Sequence, residues 1–510
     1  MGRVKAAAIN ITFGYIGTFA TAIMSFILRT IFIRNLSAEL LGVNDLYTNI
    51  LSLLSMAELG IGTALNFSLY VPVARGDKEK IKSYMQLYRR AYYAIAMIIA
   101  VIGLALAPFL KYLIKDPGNI TTRDLTIYYL IFLFNTVTSY FVAYKYSLVN
   151  AEQKNYIQTN VNTVTKIITV LFQIGVVVVT KNFYFYLLTD AAVQLLQKIF
   201  VNYYLNRLYP YLREKKVERL TKQESGEVWT KTRALLLHKV GDVARLQTSS
   251  LMISALISVS ITGVVSNYNL IINTVSNFVN TIFNSVISSF GNLIATETKE
   301  KQFEMFQIYR FFAAWVYGYA ATGFFVLITP VVRIWLGDSW VLPGSVVFLI
   351  LADFYFKGDR VVLSNYKTAA GVFEPDKYLT LVQGAVNIVL GIVLAQLIGL
   401  EGIYIGTLVS GLIANIAKPV IIYRYCFDRS ALSYFADTVK HLLTVAAVTL
   451  LCMALRVWLI PQNSLLAAVG MAILITVLFN GTFFLLYRGT PEFQYLYRLV
   501  RGKVRKSGRA

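Results

Sequence analysis

Apolar residues in this chain come in long runs separated by short polar intervals. From Ala6 to Leu28 no side chain is charged, a stretch of about 23 residues against the roughly 20 that a helix needs to cross a bilayer. Similar runs recur to the C-terminal end. They predict about 14 transmembrane helices, over 8–33, 40–68, 91–113, 124–150, 157–180, 184–206, 236–261, 265–291, 308–332, 343–369, 378–398, 402–424, 437–460 and 465–487. The expected fold class is an all-α polytopic membrane protein. An even number of spans puts both termini on the same side. The first run is too long for a signal-peptide core and lacks a small-residue cleavage site, so it reads as a true span.

The longest polar interval is the Arg207–Arg233 region, after the sixth span. It divides the chain into an N-terminal six-helix lobe (1–206), a cytoplasmic linker (207–235), a C-terminal six-helix lobe (236–424), and two extra helices with a basic cytoplasmic tail (425–510). Internal repetition is faint. SAELLGVN, around the first turn of the N-terminal lobe, resembles SITGVVSN, at the corresponding place in the second. A six-plus-six duplication would put them there.

Composition agrees with this pattern. Of 510 residues, 57% are hydrophobic and 15% charged, where soluble proteins run near a quarter charged. The net charge of +22 in a soluble chain would suggest nucleic acid. Here the excess of Lys and Arg in cytoplasmic loops accounts for it, and no nucleic-acid partner is expected. With the N-terminus inside, roughly 34 of the 48 basic residues fall on the cytoplasmic side and about 7 outside, the bias that sets orientation. Cys426 and Cys452 lie in or near apolar stretches, and His238 and His441 are the only histidines, so neither a disulfide framework nor a His-rich metal centre is expected. Walker, GxSxG and HExxH motifs are absent. No outward connection exceeds about a dozen residues, too little for the outer domain of a membrane glycan polymerase or ligase. The chain is expected not to be an enzyme and to need no cofactor.

Several apolar helices carry polar stripes. In the first span Asn10, Gly14, Thr18, Thr21, Ser25 and Arg29 share an arc of about 100°, while Arg34 points elsewhere and is placed to snorkel at the interface. The second span aligns Asp45, Thr48, Ser52, Ser55, Glu58, Gly62 and Asn66. The fifth aligns Thr159, Asn162, Lys166, Thr169 and Gln173, and the sixth Asp190, Gln194, Gln197 and Lys198. The seventh opens with His238, Asp242, Arg245 and Ser249. The eighth has an asparagine ladder, Asn269, Asn273, Asn277, Asn280, Asn284 and Asn292, with Ser288 on the same face. The tenth carries Asp353, Lys357, Arg360, Ser364, Lys367 and Gly371.

Two readings compete. Small and hydroxylated residues on one face also serve close helix packing, and Asp353 with Lys357 or Asp242 with Arg245 have the spacing of in-helix ion pairs. An arginine at mid-span costs roughly 2.5–3.5 kcal/mol, however, and its recurrence on several helices suggests a wide, wet, net-cationic cavity. Arg29, Lys166, Arg360 and Lys367 have no in-helix partner in sequence. Such a cavity suits a phosphate or pyrophosphate, which arginine grips through its planar fork. Asparagines, which both donate and accept, suit sugar hydroxyls. Tyr15, Tyr47, Tyr70 and Tyr268 have the chemistry to stack on sugar rings, though interfacial or core placement is the commoner use of tyrosine.

The stretch SLLSMAELGIGTALNFSLYVPVARGDKEKIKSYMQLYRRAYY, with RTIFIRNLSAELLGVNDLYTNIL before it and HKVGDVARLQTSSLMIS and VVSNYNLIINTVSNFVNTIFNSVISSFGNLIATE after it, resembles bacterial polysaccharide flippases of the multidrug/oligosaccharidyl-lipid/polysaccharide exporter superfamily. The likeness covers nearly the whole chain. It implies two six-helix lobes in a V shape plus two C-terminal helices, and alternating access. It also implies translocation of undecaprenyl-pyrophosphate-linked oligosaccharide repeat units from inner to outer leaflet for capsule or other surface polysaccharide. Arg29 and Arg245 match arginines on the first helices of each lobe of related flippases. Where relatives often carry an Asp in the seventh helix, this chain reads Gln247, Thr248, Ser249, Ser250, a departure that bears on ion coupling.

The resulting expectation assigns pyrophosphate binding to Arg29, Arg245, Arg360, Lys357 and Lys367, and sugar contacts to Asn273, Asn277, Asn280 and Asn284. Gating or ion coupling, to a proton or sodium gradient or the membrane potential, falls to Asp45, Glu58, Asp242 and Asp353. Expected partners are the polyprenyl-pyrophosphate-linked oligosaccharide, membrane lipids, and the glycan polymerase and other surface-polysaccharide assembly proteins. The expected location is the bacterial cytoplasmic membrane, multi-pass, with both termini cytoplasmic. The alternatives are a multidrug or metabolite exporter of the same superfamily, which would favour an acidic or apolar cavity, and a flippase for another lipid-linked precursor such as that of peptidoglycan.

Overall fold

A computed structural model describes residues 3–55, 58, 68–214, 217–218, 220–226, 228–229, 247–372, 374–376, 378–459 and 464–507. The described residues are helical with short turns and form an all-α polytopic membrane fold. The helices are α1 (Arg3–Asn35), α2 (Ala38–Leu54), α3 (Lys78–Leu106), α4 (Thr122–Ala151), α5 (Tyr156–Thr180), α6 (Phe183–Leu208) and α7 (Gln247–Ile257). They continue with α8 (Val259–Thr296), α9 (Lys299–Leu336), α10 (Gly344–Asp359), α11 (Val361–Ala370), α12 (Leu379–Ile398), α13 (Leu400–Phe427), α14 (Leu432–Leu459), α15 (Leu465–Tyr487) and α16 (Pro491–Ser507).

Every predicted span holds helix where it is described. Among the described residues ten helices are long and apolar enough to cross a membrane. The other four predicted spans are not among them. Of α2 and α7 only 17 residues and Gln247–Ile257 are described, α6 carries Asp190, Lys198 and Arg207, and the tenth span breaks at Arg360 into α10 and α11. Caps set the starts: Ser37, Asp77, Thr121, Asn182, Thr298 and Ser464 each accept a backbone N–H of the first turn. The Asp77 cap explains why α3 begins at Lys78, earlier than the expected 91.

Contacts divide the chain into two units, residues 1–266 and 267–510, with the division inside α8. The expected linker, 207–235, ends before this boundary, because α7 packs into the first unit. α7 closes in a π-turn at Ile253–Ile257 and the backbone extends at Ser258. That break leaves polar groups that hydrocarbon cannot satisfy. Residues 113–115 take them up: Lys115 N–H donates to Ser254 O at 3.0 Å, Val259 N–H to Lys115 O at 3.0 Å, and Ser254 Oγ to Leu113 O at 2.7 Å. The described part of the linker also folds onto the first unit. Lys82 pairs with Glu214 at 2.6 Å, Lys80 pairs with Glu224, and Ser83 Oγ donates to Glu218 O at 2.7 Å.

The two faintly repeated segments meet each other. A Cβ on Gly42 would lie 1.8 Å from Val259 O, and one on Gly263 2.3 Å from Ala38 O. Val259 is four residues before Gly263, and Ala38 four before Gly42, so the contact is reciprocal. Each glycine lets its helix backbone reach the other's carbonyl, as in small-xxx-small crossings.

In the second unit α9 is the central helix, packed by α10, α14 and α15. Gly358, two residues before the break at Arg360, lies against the Tyr317 ring, where a Cβ would come within 2.2 Å.

Gly42→Ala should therefore lower stability by about 1–3 kcal/mol through overpacking. Gly14→Ala, where a Cβ meets nothing within 4 Å, should be neutral or slightly stabilising. Thermal unfolding of the two variants in detergent checks the pair; equal midpoints would contradict the crossing.

Candidate functional site

A chain of charged side chains runs through the interior of the first unit. Arg29 of α1 donates from Nη1 to Ser266 Oγ at 2.6 Å and lies within charge–charge range of Asp45 and Lys166. Asp45 of α2 accepts from Ser250 Oγ at 2.9 Å and from Asn49 Nδ2 at 3.0 Å. Lys166 of α5 and Lys198 of α6 both act on Asp190 of α6. Asp190 accepts from Asn135 Nδ2 at 2.9 Å. Lys198 is buried and donates to Asn135 O and Thr138 Oγ1, each at 2.8 Å. Tyr186 lies beside both Arg29 and Asp190, and its carbonyl accepts from Gln173 Nε2 at 3.3 Å. Within this chain three cations face two carboxylates. Local charge is therefore positive, and in a low-dielectric bundle it attracts an anion strongly.

The stripe that carries Arg29 is part packing and part open. Gly17 sits against Thr159 and Thr163 of α5, whereas the Gly14 position is unfilled. Thr18 and Thr21 return their hydroxyls to the carbonyls of Gly14 and Gly17 at 2.9 and 2.8 Å. Arg34 is exposed. Glu58 lies in a separate place, where its carboxylate accepts from the hydroxyls of Tyr92 and Tyr140, two buried residues. Arg245, Asp242 and His238 lie outside the described residues.

In the second unit the expected cations have protein partners. Lys357 pairs with Asp353 at 2.5 Å, the in-helix alternative. Arg360, 7% exposed, donates to Gly411 O at 2.8 Å and to Asn415 Oδ1. Buried Lys367 pairs with Asp376 Oδ1 at 2.5 Å. The partners of Arg360 and Lys367 lie on α13 and on the turn after α11, which in-helix spacing does not reveal. On α8, Asn273, Asn277 and Asn284 are exposed, and Asn280 accepts from Tyr317 Oη at 2.6 Å. An unpacked amide row on a membrane-length helix is suited to water or hydroxyls, not to lipid. Of the tyrosines considered for stacking, Tyr47 and Tyr268 are fully buried; they bond Leu125 O and Leu342 N–H instead.

Sequence reasoning passed over one ionic cluster. Arg310 of α9, 3% exposed, donates to Asp437 Oδ2 at 3.1 Å, Tyr434 O at 2.6 Å and Thr438 Oγ1 at 2.9 Å, and stacks over the Tyr434 ring. Asp359 accepts from Tyr434 Oη at 2.9 Å and from Thr438 Oγ1 at 3.2 Å. The cluster fastens α14 to α9 and α10. The signal was present: Arg310 is the only charged residue between Glu304 and Arg333, and an intramembrane charge has a partner by default.

An apolar groove of about 480 Å³ lies along the second unit between α8, α9 and α15, lined by Ile271, Val275, Phe324, Leu327, Ile475 and Gly323 among others. A Cβ on Gly323 would meet nothing within 4 Å.

No family model matches the chain, and no curated protein matches it in sequence. Its fold is that of solved transporters of the MOP superfamily. A structure of the lipid II flippase MurJ in an inward closed conformation superposes with a TM-score of 0.64 at 14% identity, over 93% of this chain and 99% of that one. An inward-facing multidrug resistance MATE family transporter of the MOP superfamily gives 0.61 at 11% identity, over 78% and 92%. The D35N mutant of the Vibrio cholerae MATE transporter VcmN gives 0.57 at 14%, over 84% and 99%. At these identities the likeness is one of fold.

Asp190→Asn removes a carboxylate facing Lys166 and Lys198 and should destabilise by about 3–5 kcal/mol, the cost of an uncompensated buried charge. Adding Lys198→Met should recover part of that loss. A double-mutant cycle by thermal unfolding measures the coupling; additive losses would show that the two do not interact.

Proposed function

We propose that the chain is a flippase that moves a polyprenyl-pyrophosphate-linked oligosaccharide from the inner to the outer leaflet by alternating access. The observation that carries the reading is the net-cationic chain Arg29, Lys166 and Lys198 inside the membrane bundle of the first unit. A drug exporter for organic cations has no use for it. Arg29 offers a planar fork matched to phosphate oxygens, and its donor to Ser266 meets a hydroxyl, where a phosphate would add a second, opposite charge to the bond. Lys166 adds charge to the same place. The exposed asparagines Asn273, Asn277 and Asn284 provide donors and acceptors for sugar hydroxyls. The apolar groove beside α15 has the chemistry of an isoprenoid tail.

Lys357, Arg360 and Lys367, which the sequence also offered for the pyrophosphate, serve in this reading as helix-to-helix ties. Glu58, held by two tyrosine hydroxyls, is the carboxylate placed to take up a proton or sodium ion, with Asp45 linked to Arg29 through charge. Undecaprenyl is the carrier we assign, with surface polysaccharide as the product and the cytoplasmic membrane as the site of action. Both termini face the cytoplasm in this reading, and the flipped unit passes to a glycan polymerase. A lipid-linked peptidoglycan precursor is the second reading. It shares the pyrophosphate, and the MurJ structure overlays 93% of this chain, against 78% for the inward-facing MATE transporter.

The test is translocation of a fluorescent polyprenyl-pyrophosphate oligosaccharide in proteoliposomes, with native mass spectrometry of co-purified lipid to identify the cargo. Arg29→Ala should reduce flipping at least about tenfold, the loss of roughly 1.5–3 kcal/mol of charged hydrogen bonding, with folded protein still in the membrane. Gly323→Leu should fill the groove and impair lipid-linked cargo without lowering stability. Unchanged flipping by Arg29→Ala, or saturable transport of an organic cation with no lipid cargo, would overturn the proposal.

A further inference from the structure

The last helix, α16, begins against the second unit and then leaves it. Phe493, in its first turn, is 7% exposed. Its ring packs against Trp315 of α9 and Phe484 of α15, each at 5.7 Å between centroids, and against Phe311 of α9 at 6.4 Å. One turn on, Tyr497 stacks beside Phe493 yet is 52% exposed, and Arg498 and Arg501 are exposed. The sequence continues the apolar spacing past this point. Phe493, Leu496, Tyr497, Val500 and Val504 fall within an arc of about 100° of a helix, and beyond Leu496 only the apolar Leu499 lies off it. The helix is otherwise basic, with Arg498, Arg501, Lys503, Arg505 and Lys506 against one acid, Glu492.

The level at which Phe493 is held points to what covers the rest of that face. α9 has no charged residue between Arg310 and Arg333, a run long enough to cross hydrocarbon. Phe311 and Trp315 stand at its start, so α16 sets out from the edge of the apolar layer. Tyr495, on the opposite face of α16, lies within charge–charge range of Lys301 in the charged first turn of α9. One side of α16 thus meets the apolar part of α9 and the other its charged beginning, the posture of a helix lying in the plane of a membrane surface. Beyond Tyr497, where the protein no longer covers it, the apolar side has the acyl boundary beneath it. The cations stand at headgroup level, where their charge complements an anionic layer.

We propose that α16 is an interfacial helix that binds anionic phospholipid, with its apolar side at the acyl boundary and its arginines and lysines on the headgroups. Through Phe493 the bound helix braces α9 and α15, two walls of the apolar groove. The inference concerns the leaflet, not the cargo, and stands whatever the first unit carries.

The test is hydrogen–deuterium exchange of the full chain in nanodiscs of phosphatidylcholine alone or with phosphatidylglycerol, read over 491–507 by mass spectrometry. Exchange should be at least about fivefold slower with phosphatidylglycerol, since each interfacial cation contributes about that factor, and high salt should remove the difference. Arg498→Gln with Arg501→Gln, changes at exposed positions, should lose most of it while the thermal midpoint stays unchanged. Lys503→Gln with Lys506→Gln, nearer the end of the chain, gives an independent pair with the same expectation. Equal exchange in the two nanodiscs would overturn the proposal: slow in both, α16 is covered by protein, and fast in both, its apolar side has no partner. A phosphatidylglycerol effect that both double variants keep in full would overturn the role of these cations.

Discussion

Hydrocarbon offers no hydrogen bonds, so every break and every charge within a membrane bundle must find its partner in the protein. That constraint explains the irregular points of this fold. Where α7 ends and α8 begins, the exposed backbone is closed by residues 113–115. Where the tenth span breaks at Arg360, the guanidinium itself reaches α13. The threonines of α1 fold back on their own helix. The closest approach, between Gly42 and Val259 O and between Gly263 and Ala38 O, is possible only because neither glycine has a Cβ. It joins the two segments that a duplication would relate.

The two units treat charge differently. In the second, Arg310 is enclosed by Asp437, Tyr434 and Thr438, with Asp359 on the same tyrosine and threonine. Lys367 and Asp376 are likewise closed on each other. Groups held this way cost several kcal/mol to separate, which suits permanent fastening. In the first unit, Arg29 contacts a serine hydroxyl and Asp45 accepts from a serine and an asparagine. Bonds of this kind join one ion to one neutral group, contribute about 1.5–3 kcal/mol each, and lack the second charge that closes the pairs of the second unit.

Sequence periodicity revealed elements and faces. The apolar runs located the helices, ten of them long and apolar enough to cross a membrane among the described residues, since length and hydropathy in lipid are local properties. The +4 and +3 spacing oriented Arg29 inward, away from Arg34. Partner choice was not legible, because it is tertiary. Arg360 finds its acceptors 51 and 55 residues later, and nothing along α10 and α11 announces them. Tyr47 and Tyr268 looked available for stacking, yet burial turned them into core residues with backbone partners. Arg310 was visible as a solitary charge, but its value lay in Asp437, 127 residues away.

These differences bear on how an anion would move through the bundle. A cationic site that binds a pyrophosphate must also release it, so its charge must be offset when empty. Asp45 and Asp190 do this for Arg29, Lys166 and Lys198: they keep the empty site near neutrality and leave a single positive charge in excess. With three unopposed cations the empty bundle would repel itself and hold its cargo too tightly to let go. With three acids the pyrophosphate would be excluded. A balance of three against two permits both entry and exit. In the proposed function the carboxylates of the first unit therefore matter as much as Arg29.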